Sequence, residues 1–214
     1  MTQHIRPDFD SRASQWDNLP RRVALAKAVV EAIIAEADPQ PGMRMLDYGA
    51  GTGLVTLGLL PLVREAIAVD SSRGMLEQLE TKAKEAGITN LQTCFIDLDS
   101  EWHLPKGIDL LVSSMTMHHV PEPAPLMAHF KECMNPGAQL CIADLELEDG
   151  SFHDDATGIP HKGFSIEQME GYFSEAGFVD VRTVLIMTVK KERDGLFQEY
   201  PVNLTTGRLE HACD

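Results

Sequence analysis

The sequence predicts an α/β sandwich built on a mainly parallel sheet. Two observations carry that prediction. Short apolar segments of strand character alternate five times with helix-forming segments. Two further strands then flank Arg193-Asp194-Gly195, an Asp-Gly hairpin signal that makes one strand antiparallel.

Each element has a local reason. Pro20 suits the first turn of a helix that runs to about Ala37, with Val23, Ala26, Val30, Ile33 and Ala37 on one face. The run Asp38-Pro39-Gln40-Pro41-Gly42 ends it. Met43 to Asp47 is the first strand, Gly49 to Gly53 a glycine loop, and Leu54 to Leu60 a helix stopped by Pro61. Ala66 to Asp70 is a buried-type strand. A helix follows from about Ser72 to Ala86, with Met75, Leu79, Ala83 and Ala86 on one face and Gly87 past its end. Leu91 to Ile96 and Ile108 to Val112 are the third and fourth strands, the third leading into Asp97. Pro123 to Met134 is helical, Asn135-Pro136-Gly137 turns the chain, and Gln139 to Ala143 is the fifth strand, leading into Asp144. Ser165 to Ala176 is a helix opened by a capping box, Ser165-x-x-Gln168, with Ile166, Met169, Phe173 and Ala176 inward. Val179 to Val189 and Leu196 to Pro201 are the closing strands, and 203–214 is a patternless tail.

Composition narrows the partners. The 214 residues suit one domain, and 43% hydrophobic with 24% charged residues is globular composition. Eighteen basic against 33 acidic residues give a net charge of −15, which repels a phosphate backbone, so nucleic acid is not an expected partner. The longest apolar run, Leu54 to Val63, contains Pro61 and precedes Arg64, so no membrane span is expected. Met1 to Asp10 holds no apolar signal core, and Cys94, Cys133, Cys141 and Cys213 lack C-x-x-C spacing. A cytoplasmic protein with reduced thiols is the expectation.

The sharpest motif is Leu46-Asp47-Tyr48-Gly49-Ala50-Gly51-Thr52-Gly53, joining a strand to a helix. Glycine there lets backbone approach a ligand closely. Ligands of open α/β sheets bind beyond the carboxyl ends of the strands. Asp70 ends the next strand, where a carboxylate can accept two ribose hydroxyls, and Asp97 ends the one after. Either residue could instead cap the segment that follows it. A dinucleotide G-x-G-x-x-G is absent, because Leu54 takes the sixth position counted from Gly49; no Walker Gly-Lys-Ser/Thr follows either.

With Val69-Asp70-Ser71-Ser72, Met75, Ile96-Asp97-Leu98, Asp109 to Val120 and Asn135 to Asp144, this ordered set resembles the class I S-adenosylmethionine-dependent methyltransferases, particularly their small-molecule branch. The resemblance covers about Asp8 to Pro201. It implies a three-layer Rossmann-like sandwich whose seven-stranded, mostly parallel sheet ends in an antiparallel hairpin. It implies an N-terminal helical lid segment over 1–38, a cofactor-binding domain over 39–202 and the tail beyond. It places Asp47, Tyr48, Gly49, Ala50 and Gly51 at the methionine end of S-adenosylmethionine and Asp70 at the ribose. Ser71 and Met75 flank the adenine, Asp97 accepts from its amino group, and Leu98 donates a backbone N–H. Ser113 and Ser114 border the sulfonium. Phe9-Asp10 with Ala13, Trp16 and Asp17 is similar to the family's lid, Trp16 replacing a commoner Tyr and removing a hydroxyl that could meet the cofactor carboxylate.

Methyl transfer from a sulfonium needs position and exclusion of water, and some acceptors need a base. His118 and His119 follow the fourth strand. In the strand order that the resemblance implies, Asp144 emerges beside them, a candidate base dyad; the histidines could equally be structural. His161 is read as a loop anchor. No metal is expected, because His153-Asp154-Asp155 with His161 has no diagnostic ligand spacing. Met115, Met117, Met127 and Met134 are read as core. The reading is methyl transfer to a small-molecule acceptor. The alternatives are a methyltransferase acting on a basic protein, a non-catalytic cofactor-binding module and, third, a nicotinamide oxidoreductase.

Overall fold

The computed structural model describes residues 7–98, 103–193 and 195–210. Seven strands form one sheet: β1 (Arg44–Tyr48), β2 (Glu65–Asp70), β3 (Leu91–Phe95), β4 (Ile108–Ser114), β5 (Met134–Leu145), β6 (Phe178–Arg193) and β7 (Leu196–Leu209). Their order is β3-β2-β1-β4-β5-β7-β6, and β7 alone runs antiparallel to its neighbours. This is the expected three-layer, seven-stranded Rossmann-like sandwich. The order reverses between β1 and β4, so the β1 and β4 carboxyl ends flank the crevice where such sheets take ligands.

Helices α1 (Pro20–Ala37) and α2 (Leu54–Leu59) cover one face, packing Val29, Ile33 and Leu59 on Met45, Leu110 and Cys141. On the other face α4 (Pro123–Cys133) and α5 (Ile166–Ala176) bring Phe130, Met169 and Phe173 onto Leu46, Ile67 and Leu111. Helix α3 (Arg73–Glu85) packs on β2, β3 and the 3-10 turn Ala13–Asn18. Ser72 caps α3 by accepting from the Met75 N–H, and Ser165 with Gln168 completes the capping box of α5.

Three departures have physical reasons. The buried face of α1 is Leu25, Ala26, Val29, Ile33 and Ala37, while Val23 is exposed. Leu25 outbids Val23 for the inward stripe, rotating the helix by part of a turn. The Asn135-Pro136-Gly137 turn lies inside β5 as a bulge: Ile108 pairs with Met134, but Leu110 already pairs with Gln139. Finally, β7 continues through 203–209, where a tail is expected. Val202 and Leu204 are fully buried between β5 and β6, and Thr205 and Thr206 nearly so. Asp194 of the hairpin turn and Cys213 lie outside the described residues, whose other three cysteines are free.

Candidate functional site

A cavity of about 220 Å³ opens at the carboxyl edge of the sheet beside the glycine loop. Strand β1 delivers the loop, whose Gly49 and Ala50 N–H groups both donate to the Val69 carbonyl, at 2.8 and 3.1 Å. Two glycines there have a decisive geometry. At Gly49 (φ +73°) an added β-carbon would run into the Thr116 side chain. At Gly51 (φ +55°) it would meet nothing within 4 Å, so any side chain would project into open space at the cavity wall.

Asp70 at the end of β2 faces that wall. Its Oδ2 accepts from the Gly51 N–H at 2.7 Å and its Oδ1 from the Ser72 N–H at 2.8 Å. Each oxygen keeps a lone pair for a ligand. Burial raises its carboxyl above the ordinary range, against the pull of the backbone N–H groups. Asp47 is fully buried, accepts from Thr56 Oγ1 at 2.6 Å, and is pushed up to about 7 by desolvation, with nearby Asp70 adding to the rise.

The N-terminal segment crosses the cavity. Asp10 Oδ1 accepts from Ser72 Oγ at 2.5 Å and from the Gly74 N–H at 2.8 Å. Asp17 accepts from Thr52 Oγ1 at 2.6 Å and pairs with Lys82 at 2.7 Å. These contacts hold Phe9 and Trp16 against the opening, with the Arg22 guanidinium 3.5 Å over the Trp16 ring.

Trp16, Asp47, Tyr48, Gly49, Ala50, Gly51, Asp70, Ser71, Met75, Leu98 and Ser114 all line this one cavity. Two expected cofactor contacts do not. Ser113 is buried and donates to the Tyr48 carbonyl at 2.9 Å; successive strand residues face opposite sides, so it cannot share the wall with Ser114. Asp97 is exposed and outside the lining, while its neighbours Ile96 and Leu98 belong to it. Sequence reasoning missed Arg22, Thr52 and Thr116. Thr52 and Thr116 sat inside quoted motifs without being assigned a contact, and Arg22 sat outside any.

The histidine dyad forms. His118 Nδ1 lies 2.6 Å from Asp144 Oδ1, the His118 N–H donates to Asp144 Oδ2 at 3.3 Å, and both side chains are buried. Neither reaches the cavity; only His119 does. His119 is pushed down to about 2 by burial, then by its histidine neighbours, so its ring is neutral. His153 joins them, its ring 5.0 Å from His118 and 5.6 Å from His119. His161 stays apart, with Nε2 3.3 Å from the Pro121 carbonyl.

The methyltransferase domain model matches residues 18–183, more than three-quarters of the chain. The chain belongs to that family. Among curated proteins, an uncharacterised methyltransferase of Schizosaccharomyces pombe is 25% identical over 67% of this chain and 56% of its own. Aklanonic acid methyltransferase DauC of a Streptomyces species is 22% identical over 70% and 69%. The matched region thus spans little more than half of the yeast relative. A SAM-dependent methyltransferase from Aquifex aeolicus superposes with a TM-score of 0.68 at 20% identity, covering 94% of this chain and 98% of that one. This is a methyltransferase domain on a Rossmann-like fold, and the cofactor the resemblance implies is S-adenosylmethionine. The cavity fits that group: it pairs a two-oxygen acceptor for a diol with a loop that Gly51 leaves open at the cavity wall. No described helix is long and apolar enough to cross a membrane.

Proposed function

We propose that this methyltransferase domain acts on a small-molecule acceptor. Asp70 carries the cofactor half of the reading, because both its oxygens are fixed by backbone N–H groups and the residue lines the cavity. Asp70 holds the ribose hydroxyls, Ser71, Met75, Ile96 and Leu98 surround the base, and the loop from Asp47 to Gly51 takes the methionine end. S-adenosylmethionine, when bound, supplies an activated methyl group for in-line displacement. The chain's own part is alignment and dryness: Phe9 and Trp16 exclude water, and the 49–53 loop fixes the donor end. Arg22 supplies the cation for the carboxylate that the Tyr-to-Trp exchange leaves without a hydroxyl partner. His119 is the candidate that can touch an acceptor, and Asp144 with His118 positions it from behind.

A small acceptor is supported by the Phe9 ring standing 5.2 Å from the His119 ring at the cavity, by the net charge of −15, and by the named substrate class of the Streptomyces relative. The same charge leaves a basic protein acceptor as the second reading, read out by methylation of basic peptides. The cofactor site is tested by calorimetry with S-adenosylhomocysteine. Asp70→Ala costs about 1–3 kcal/mol of affinity. Unchanged affinity removes Asp70 from the site. Turnover on a metabolite panel but not on basic peptides identifies the acceptor class.

A further inference from the structure

Three imidazoles converge where the loops after β4 and β5 meet, and no step of methyl transfer uses all three. His118 and His119 end the 3-10 turn Met117–His119. His153 comes from the segment after β5, 34 residues further along. One ring nitrogen of each lies within 4.8 Å of the others. Three ring nitrogens are buried without a hydrogen-bond partner: His118 Nε2, His119 Nδ1 and His153 Nε2. His118 is itself only 1% exposed. Leaving three buried nitrogens of one histidine cluster unsatisfied is costly.

We propose that His118, His119 and His153 bind one divalent transition-metal ion of the zinc class. The donor set is the reason. Three neutral imidazoles suit zinc, and a three-histidine set leaves a fourth position for water or for a ligand atom. Asp144 Oδ1 lies 2.6 Å from His118 Nδ1, placed to accept a hydrogen bond from it and turn Nε2 toward the metal; a carboxylate behind a histidine is the arrangement that orients and strengthens a metal ligand. Asp144 is locked in turn by the N–H groups of His118 and Leu145. Zinc–nitrogen bonds of about 2.0–2.1 Å set nitrogens roughly 3.4 Å apart in a tetrahedron, so the rings close inward by about an ångström on binding. His153, on an irregular segment, is the member free to make that move. His119 also lines the cavity, so the metal sits at the acceptor end of the cofactor site, where an acceptor oxygen or sulfur could take the fourth position.

The test needs no acceptor. The full chain is stripped with a chelator and titrated with Co²⁺. Intense visible bands of tetrahedral cobalt, displaced by stoichiometric Zn²⁺, are expected, as is one anomalous peak between the three rings in Zn²⁺-soaked crystals. His153→Gln should weaken Co²⁺ binding at least tenfold, while His161→Gln leaves it unchanged. Calorimetry with S-adenosylhomocysteine on the same samples reports the fold and the cofactor reading separately. Wild-type protein that gives no tetrahedral spectrum and no anomalous peak overturns the site, as does His153→Gln protein that still binds the cofactor product and keeps full cobalt affinity. In either case a bridging water would explain the three nitrogens.

Discussion

Asp47→Asn separates the electrostatics of the site from its shape. The side chain is fully buried and its carboxyl is pushed from 3.8 to about 7, chiefly by desolvation. Below pH 4 the group is protonated in the folded and unfolded chain alike and costs nothing. Between pH 4 and 7 the unfolded chain ionises while the folded chain keeps its proton, so raising the pH favours unfolding. Above 7 both are ionised and the penalty is constant. The interval of about three pH units, at about 1.36 kcal/mol each, sets the full penalty near 4 kcal/mol. From pH 5 to 7 the change is about 2–3 kcal/mol. Asparagine matches the shape, accepts from Thr56 Oγ1 through its carbonyl, and cannot ionise. Urea unfolding of the two ligand-free proteins at pH 5, 6, 7 and 8 should show the variant gaining by that amount up to pH 7 and holding its lead beyond, with equal m-values. Parallel profiles would mean that Asp47 is solvated or paired, and the reasoning would fail.

Gly51→Val meets no atom with its β-carbon but is strained at φ +55°, so it should lose stability and, in its folded fraction, S-adenosylhomocysteine binding by calorimetry; a folded variant that binds normally places the ligand elsewhere. Arg22→Ala should weaken S-adenosylhomocysteine by about 1.5 kcal/mol, roughly tenfold, and leave 5′-methylthioadenosine, which lacks the carboxylate, unaffected; equal losses would make Arg22 a prop for Trp16 only. Phe130→Ala, which empties a fully buried position against the Tyr48 ring, should cost about 3–5 kcal/mol in urea unfolding, and a cost below 1 kcal/mol would contradict the packing described.

Local signals carried most of the architecture. Pro20, the capping box at Ser165 and Gly87 mark helix ends through backbone chemistry that needs no tertiary partner, and the matching helices form there, although Ser72 rather than Asp70 caps α3. The glycine loop and Asp70 were legible for the same reason: β-carbon clearance and an acidic strand end are written in consecutive residues. Elsewhere the deciding partner was distant. Which stripe of α1 turned inward depended on the sheet surface it met. Residues 203–209 carry Asn, Thr and Gly that suggest a tail, and only pairing with β5 and β6 buries them as strand. Arg22 enters the cavity through Trp16, and His153 joins His118 only because β5 lies beside β4.

The wall around the glycine loop is built against anions. Asp47 and Asp70 are both buried at the cavity, each raised by loss of solvent; Asp70 raises Asp47 further, and Asp10 does the same to Asp70. Carboxyls crowded this way disfavour their own ionisation in the empty site. A dinucleotide would bring a pyrophosphate, with two more negative charges, into that crowd. A ligand whose methionine end bears a sulfonium and an ammonium relieves it at Asp47, while its ribose diol gives Asp70 two neutral donors. Leu54 thus breaks the G-x-G-x-x-G pattern in the sequence and the crowded carboxyls oppose a pyrophosphate in space, and the two grounds are independent: one is the spacing of glycines, the other the sign of the buried charge.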